Sequence, residues 1–282
     1  VKQLNLKYTQ PVIKLKDYFL TQEDFEIKKD PITEILKTVP QPDLLDRYYE
    51  SEDYLSHSAS QKTFFELCYN LAKTSNLRSK ISLFKNYVKT GKVLDIGAGI
   101  GDLVQVLSEN NYNACGVEPS AIARKVALEK GTELLENTHQ LHSHSFEAIS
   151  MYHVLEHVLD IEQQKKEILH LLEDEGILIL ALPNYNSLDA QWFKNHWAGY
   201  DVPRHLFHFN RNAVDNFFKA DFELIGTHPL WFDSLYVSIL SARYKKCPLP
   251  FVVGIIIGLC SNAAALFTKE YSSITYVLKK RK

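Results

Sequence analysis

An α/β fold, with a mostly parallel sheet covered by helices on both faces, is predicted by three observations. Between residues 93 and 182, apolar strand-like runs alternate with amphipathic helical runs. The first apolar run ends in a glycine loop that opens a helical run, a strand–turn–helix unit. No internal repeat or low-complexity tract suggests a solenoid or a disordered chain.

The elements follow in order. Residues 1–60 are mixed in character, and Pro11, Pro31, Pro40 and Pro42 interrupt any long helix. This stretch reads as an irregular or short-stranded N-terminal appendage. Helical spacing of Phe64, Phe65, Leu67, Cys68, Leu71 and Ala72 marks a helix, and 77–88 a second helical run. Gly91 breaks the chain. Strands are then expected at 93–96, 114–117, 148–152 and 176–182, with helices at 102–109, 121–130 and 161–172 between them. A helix at 212–219 and strands at 222–228 and 272–279 complete the domain, which spans 61–282.

Residues 249–267 are almost entirely apolar and close to a membrane span in length. A buried helix or a dimer surface is the first reading, and a peripheral membrane contact the second. A true span conflicts with a following strand that joins the sheet.

The 282 residues are 45% hydrophobic and 23% charged, ordinary for a globular protein able to bury a core. Net charge is -2, so no global basic field argues for nucleic acid. Cys68, Cys115, Cys247 and Cys260 form no Cys-x-x-Cys pair. Reduced thiols in a cytoplasmic protein are expected, and residues 1–10 show no apolar signal-peptide core.

The chemistry concentrates in Val93-Leu94-Asp95-Ile96-Gly97-Ala98-Gly99-Ile100-Gly101-Asp102. Glycine lets backbone approach a ligand closely. A dinucleotide fingerprint would need its third glycine at position 102, where Asp102 stands, and Asp95 is a poor neighbour for a pyrophosphate. A nicotinamide-dependent oxidoreductase is therefore disfavoured. A cationic ligand suits Asp95, and Glu118, after the next strand, is placed to accept hydrogen bonds from ribose hydroxyls. A turn acid or a solvated loop acid is the plainer reading of either carboxylate.

These motifs, with Gly116-Val117-Glu118-Pro119-Ser120, resemble the first two motifs of class I S-adenosylmethionine-dependent methyltransferases. Met151-Tyr152-His153-Val154-Leu155-Glu156-His157-Val158, Leu182-Pro183-Asn184 and Asp201-Val202-Pro203-Arg204-His205-Leu206 resemble the subgroup containing the ubiquinone-biosynthesis O-methyltransferases. The resemblance covers residues 80–279. It implies a Rossmann-like, doubly wound seven-stranded sheet whose last strand is antiparallel, with a helical insertion at about 231–270. It also implies S-adenosyl-L-methionine as cofactor, S-adenosyl-L-homocysteine as product, and a small-molecule acceptor methylated on oxygen or nitrogen. Some relatives carry a cysteine metal site in the N-terminal leader. No cysteine precedes Cys68, so no metal is expected there.

The expected cofactor-binding residues are Asp95, Gly97, Ala98, Gly99, Gly101, Glu118, Pro119, Tyr152 and His153. Adenine contacts are sought among 134–137 and at Ser145 and Phe146. Ligands of parallel sheets bind beyond the carboxyl ends of the strands. His153 is therefore the first candidate for a base or acceptor-orienting group, with His157 and His205 behind it. A packing role is the alternative for each. Arg204 and His208 are read as anion binders or surface residues. Trp192, Trp197, Tyr200 and Trp231 are read as core or as a wall around the acceptor. An RNA or protein methyltransferase would need a basic groove, and only a short basic tail, Lys279-Lys280-Arg281-Lys282, is present. A cofactor-binding module without turnover stays open.

Overall fold

A computed structural model describes residues 10–42, 44–48 and 64–282. Three N-terminal strands come first: β1 (Gln10–Lys16), β2 (Asp24–Lys29) and β3 (Leu36–Val39). A long helix, α1 (Phe64–Tyr87), joins the two predicted helical runs into one. The alternating part contains β4 (Lys92–Ile96), α2 (Asp102–Glu109), β5 (Asn113–Val117), α3 (Ala121–Glu129), β6 (Phe146–Tyr152), α4 (Ile161–Leu171) and β7 (Leu172–Pro183). Then come α5 (Leu188–Phe193), β8 (Phe207–His208), α6 (Arg211–Phe218), β9 (Phe222–Pro229), α7 (Asp233–Tyr244), α8 (Pro250–Thr268) and β10 (Ser273–Lys280).

The main sheet has the order β5-β4-β6-β7-β10-β9. β4, β5, β6 and β7 pair in parallel, and β10 runs antiparallel to both neighbours. Both faces are buried. Leu94, Ile149, Leu178 and Tyr276 face α4 and α6, while Val93, Ala148, Ile177 and Val277 face α1 and α2. That two-sided burial explains the continuous apolar runs of the central strands.

Among the described residues the main sheet has six strands where seven were expected. The missing edge strand is reduced to one bridge, Leu135 with Val117.

Of the two readings of the N-terminal appendage, irregular or short-stranded, residues 10–39 take the second. β1, β2 and β3 form an antiparallel meander, and β3 pairs with β8 of the main chain body. Leu15, Phe25, Ile27 and Leu36 pack with Phe193, Trp197, Tyr200 and Ala242 in a shared core. Residues 49–60, where the appendage was expected to end, lie outside the described residues.

Arg204 fastens this arrangement. It is 2% exposed, not a surface anion binder. Its guanidinium donates to Asp201 at 2.6 and 2.9 Å, to Asp17 at 3.1 Å and to the Tyr48 carbonyl at 3.2 Å. Burial opposes the charge, and Asp201 and Asp17 more than offset it, so the guanidinium is held firmly protonated. His208 is likewise internal, with Nε2 2.9 Å from the Thr38 hydroxyl. Burial pushes its pKa well below the usual histidine range, so it is a neutral structural residue.

Candidate functional site

The carboxyl ends of β4, β5 and β6 lie side by side, which brings the predicted cofactor residues into one region. Asp95 is opposite Gly116 in the β4–β5 register, and Glu118 follows β5 directly. The two acids are close enough for Glu118 to raise the Asp95 pKa electrostatically. Burial is the larger cause, and Asp95 is pushed up to about 6 although the Ser150 hydroxyl donates to it at 2.6 Å.

The glycine loop is held by the strand next to it. Gly97 and Ala98 N–H groups both donate to the Val117 carbonyl, at 2.8 and 3.0 Å. Gly97 has φ 73°, and a Cβ there would meet Val154 Cγ2 at 2.3 Å. Gly99 has φ 55°, but a Cβ built on it meets nothing within 4 Å, so the loop opens onto space at that point. Gly101 caps α2 in the left-handed region. Glu118 closes the loop from the other side: Gly99 N–H donates to its Oε2 at 2.9 Å and Ser120 N–H to its Oε1 at 2.8 Å. Each carboxylate oxygen keeps a further lone pair for a ligand hydroxyl. Pro119 contributes its carbonyl, which accepts from Arg124 at 2.7 Å.

Tyr152 ends β6. Its hydroxyl is buried and has no hydrogen-bond partner. Burial, then Asp95, raises its pKa above the usual phenol range, so it stays protonated. Lys80 of α1 lies 3.7 Å from the Tyr152 ring centroid. Burial lowers its pKa, while Asp95, Asp233 and Asp102 favour its charge. Sequence reasoning missed Lys80, since its position beside Asp95 arises only when α1 packs on the sheet. Phe146 is fully buried in the core, which removes it as an adenine contact, and the Leu135 backbone bridges to Val117 at the end of β5. Glu136 is exposed and pairs with Arg124 at 3.6 Å.

Beyond β6, His153 adopts φ 56° and is 38% exposed at its side chain. Its Nδ1 is 3.2 Å from Glu156 Oε1 and its Nε2 3.1 Å from Asp233 Oδ2. Partial burial disfavours the charge, but the two carboxylates outweigh it and push the imidazole up to about 10. The ring is thus an imidazolium at neutral pH, with both nitrogens donating. Of the two roles expected for His153, base or acceptor-orienting group, this arrangement suits the second.

His157 and His205 form a second pair, with ring centroids 4.5 Å apart. Nδ1 of His157 is 3.0 Å from the Arg204 carbonyl, and Nδ1 of His205 is 2.9 Å from the Gly199 carbonyl. Carbonyls only accept, so both rings carry the Nδ1 proton and Nε2 is the basic nitrogen. Burial and the neighbouring His205 push His157 down to about 4, leaving it neutral at pH 7. Glu156 is 1% exposed, and its Oε2 has no hydrogen-bond partner. The ligand atoms of Glu156, His157 and His205 lie within 4.8 Å of one another, close enough to share a cation or a hydroxyl. The sequence reading assigned no metal and did not see this grouping, because His205 is far away in the chain.

The aromatic residues divide. Trp197 and Tyr200 are core residues, and the Trp197 indole donates to the buried Asp189 at 2.7 Å. Trp192 and Trp231 are about 40% exposed.

Comparison with known proteins gives three results. The sequence pattern of a family described as "Methyltransferase domain" matches residues 69–225. Ubiquinone biosynthesis O-methyltransferase of Cronobacter sakazakii is 30% identical over 106 residues, 34% of this chain and 44% of that enzyme. The enzyme of the same name from Actinobacillus pleuropneumoniae is 30% identical over 107 residues, 33% of this chain and 46% of its own. The chain thus spans about half the length of these curated relatives. Among solved structures, the [4+2]-cyclase SpnF superposes with TM-score 0.51 at 14% identity, covering 73% of this chain and 80% of that one. The Haemonchus contortus phosphoethanolamine N-methyltransferase 2, in complex with S-adenosyl-L-methionine, gives TM-score 0.50 at 17% identity over 73% and 53% of the two chains. At those identities the likeness shows the fold, and a cyclase among the neighbours illustrates that a fold does not fix a reaction.

Proposed function

The chain belongs to the methyltransferase domain family matched over residues 69–225, and from that premise we propose that it transfers a methyl group to an oxygen or nitrogen of a small-molecule acceptor. Its cofactor is S-adenosyl-L-methionine, which when bound supplies an activated methyl group. The observation that carries the proposal is the pair of carboxylates, Asp95 and Glu118, at neighbouring strand ends around an open glycine loop.

The residues present suit that cofactor. Asp95 is the partner for its ammonium, and Lys80, beside Asp95, for its carboxylate. Glu118 is the acceptor for ribose hydroxyls. The orphaned Tyr152 hydroxyl gains a partner when a polar ligand fills the region. On the acceptor side, neutral His157 and the unpartnered Glu156 oxygen are the groups placed to receive a hydrogen bond from an acceptor hydroxyl or amine. His153, fixed between Glu156 and Asp233, positions that carboxylate. The curated relatives' name makes an O-methylation the first acceptor chemistry to assay.

Isothermal titration calorimetry tests the cofactor assignment. S-adenosyl-L-methionine and S-adenosyl-L-homocysteine are expected to bind and NAD not to. Binding of NAD alone would defeat the proposal.

A pH dependence follows from Asp95. Its raised pKa means the cofactor-free protein takes up a proton there as pH falls through about 6. The protonated acid cannot pair with an ammonium. Affinity for S-adenosyl-L-methionine should therefore be flat above pH 7 and fall by up to about tenfold per unit below about 6. A dissociation constant unchanged between pH 7.5 and 5 would remove Asp95 from the contact (both values being assay conditions, roughly one unit either side of the transition).

A further inference from the structure

The helical pair α7 and α8 is built in the reverse of a water-facing hairpin. The residues buried between the two helices and the body are small: Ser234, Ser238, Ser241 and Ala242 on α7, and Gly254, Gly258, Ser261 and Ala265 on α8. The contact is backbone against backbone. A Cβ on Gly254 would lie 2.4 Å from Ile239 Cα, and one on Gly258 2.8 Å from the Ser234 carbonyl oxygen. The large apolar side chains point outward instead. Phe251, Val252, Ile256, Leu259, Leu266 and Phe267 are each about half exposed or more, Phe267 at 88%. Helices in water bury their large apolar side chains and expose polar ones. Small residues at the helix contact with large apolar residues outside is the pattern of helices that face lipid.

Two further observations select the occupant. The hairpin carries Arg243, Lys245, Lys246 and Lys269 at its turn and its end, while the acids Asp233 and Glu270 stand only at its junctions with the body, where Asp233 pairs with His153 and Glu270 accepts from Asn184. That rim complements anionic headgroups. Two copies of the same face would bring only like charges together, which disfavours self-pairing. The hairpin also leaves β9 and returns in β10, neighbouring strands of one sheet. α8, at 19 residues, is long and apolar enough to cross a membrane, but α7 has only 12 residues, too few at about 1.5 Å each for a core of about 30 Å. The cations at the turn would also have to enter the hydrocarbon.

We propose that the α7–α8 hairpin lies in the plane of a membrane surface, with its outer face in the acyl region and Arg243, Lys245, Lys246 and Lys269 among anionic headgroups. α7 begins at Asp233, the residue paired with His153, so the docked face adjoins the acceptor side of the site. The membrane contact stands independently of the methyl-transfer reading.

Flotation of the full chain with lipid vesicles tests it. Vesicles of phosphatidylcholine mixed with phosphatidylglycerol should carry the protein, and phosphatidylcholine alone should carry less. The double variant Ile256→Asp, Leu259→Asp alters exposed positions, so its circular-dichroism melting should match the parent while its partition into mixed vesicles drops by at least about tenfold. Lys245→Gln with Lys246→Gln should reduce binding to mixed vesicles a few-fold and leave phosphatidylcholine binding unchanged. Absence of the parent chain from both vesicle types overturns the proposal. So does a parent dimer, seen by sedimentation velocity, that the double aspartate variant dissociates while vesicle binding is unaffected. Calorimetry with S-adenosyl-L-methionine on the same variants should be unchanged, which separates this failure from failure of the cofactor reading.

Discussion

Replacing Asp95 with Asn is expected to weaken S-adenosyl-L-methionine binding by about 10–100-fold while leaving the melting temperature unchanged or higher. The two halves of that result have separate causes. A charge-assisted hydrogen bond in a buried site contributes about 1.5–3 kcal/mol, and the amide removes the charge. In the cofactor-free protein, however, the carboxylate is a burden: burial raises its pKa to about 6, and the Ser150 hydroxyl and then Lys80 only partly offset this. Burial outweighs what Ser150 and Lys80 return to that charge, so removing it costs the fold little. A purely structural Asp95 would show the opposite combination, a lower melting temperature with binding lost only through unfolding. Calorimetry and thermal melting on one sample distinguish the two, and unchanged affinity would remove Asp95 from the site.

The second large effect is on stability. Arg204→Ala should destabilise the protein by about 3 kcal/mol and lower Tm by about 5–10 °C, because it leaves the Asp17 carboxylate without its countercharge in the interior. The Asp17 side chain is 0% exposed, and its remaining partners are the backbone N–H groups of Phe19, Leu20 and Thr21 and the Thr21 hydroxyl. Arg204→Lys should recover only part of the loss, since one ammonium cannot reach Asp17, Asp201 and the Tyr48 carbonyl together. The sign with pH is also defined. Burial works against the Asp201 charge, and Arg204 outweighs it, holding the pKa below the usual range. Its contribution is present above the ordinary carboxylate pKa and is lost as pH falls through the depressed one, and Arg204→Ala should flatten that acid limb. A Tm change smaller than about 2 °C would show that the network contributes little.

The parts of the fold legible in the sequence are those whose signal is local. β4 to β7 are buried on both faces, so their apolar runs stand out, and the glycine loop with Asp95 and Glu118 is compact in the chain. In the N-terminal meander short strands were one of two readings, and their pairing was hidden because they are interrupted by prolines and completed by a two-residue strand about 170 positions away. The same distance effect explains the site errors. His153 looked like a base until Asp233 came to its second nitrogen, and Arg204 looked like an anion binder until Asp17 met it. Lys80, beside Asp95, and Asp189, which accepts from Ser261, Ser272 and Trp197, acquire their roles only through contacts between distant segments. The seventh strand was implied by the resemblance alone, and among the described residues only the bridge of Leu135 with Val117 stands in its place.

The pairing of β3 with β8 reaches further than the appendage. Leu206 and Phe207, at the start of β8, donate to the Glu156 carbonyl at 2.7 and 3.1 Å. The Thr38 N–H donates to the Leu206 carbonyl at 2.9 Å on the other side. Residues 10–39 and the loop bearing His153 and His157 are therefore two links from each other. They cannot be exchanged between homologues as an independent cassette: a chimera with a foreign N-terminal piece would inherit a loosened histidine loop, and recombination breakpoints are better placed inside the α7–α8 insertion, whose two ends return to adjacent strands.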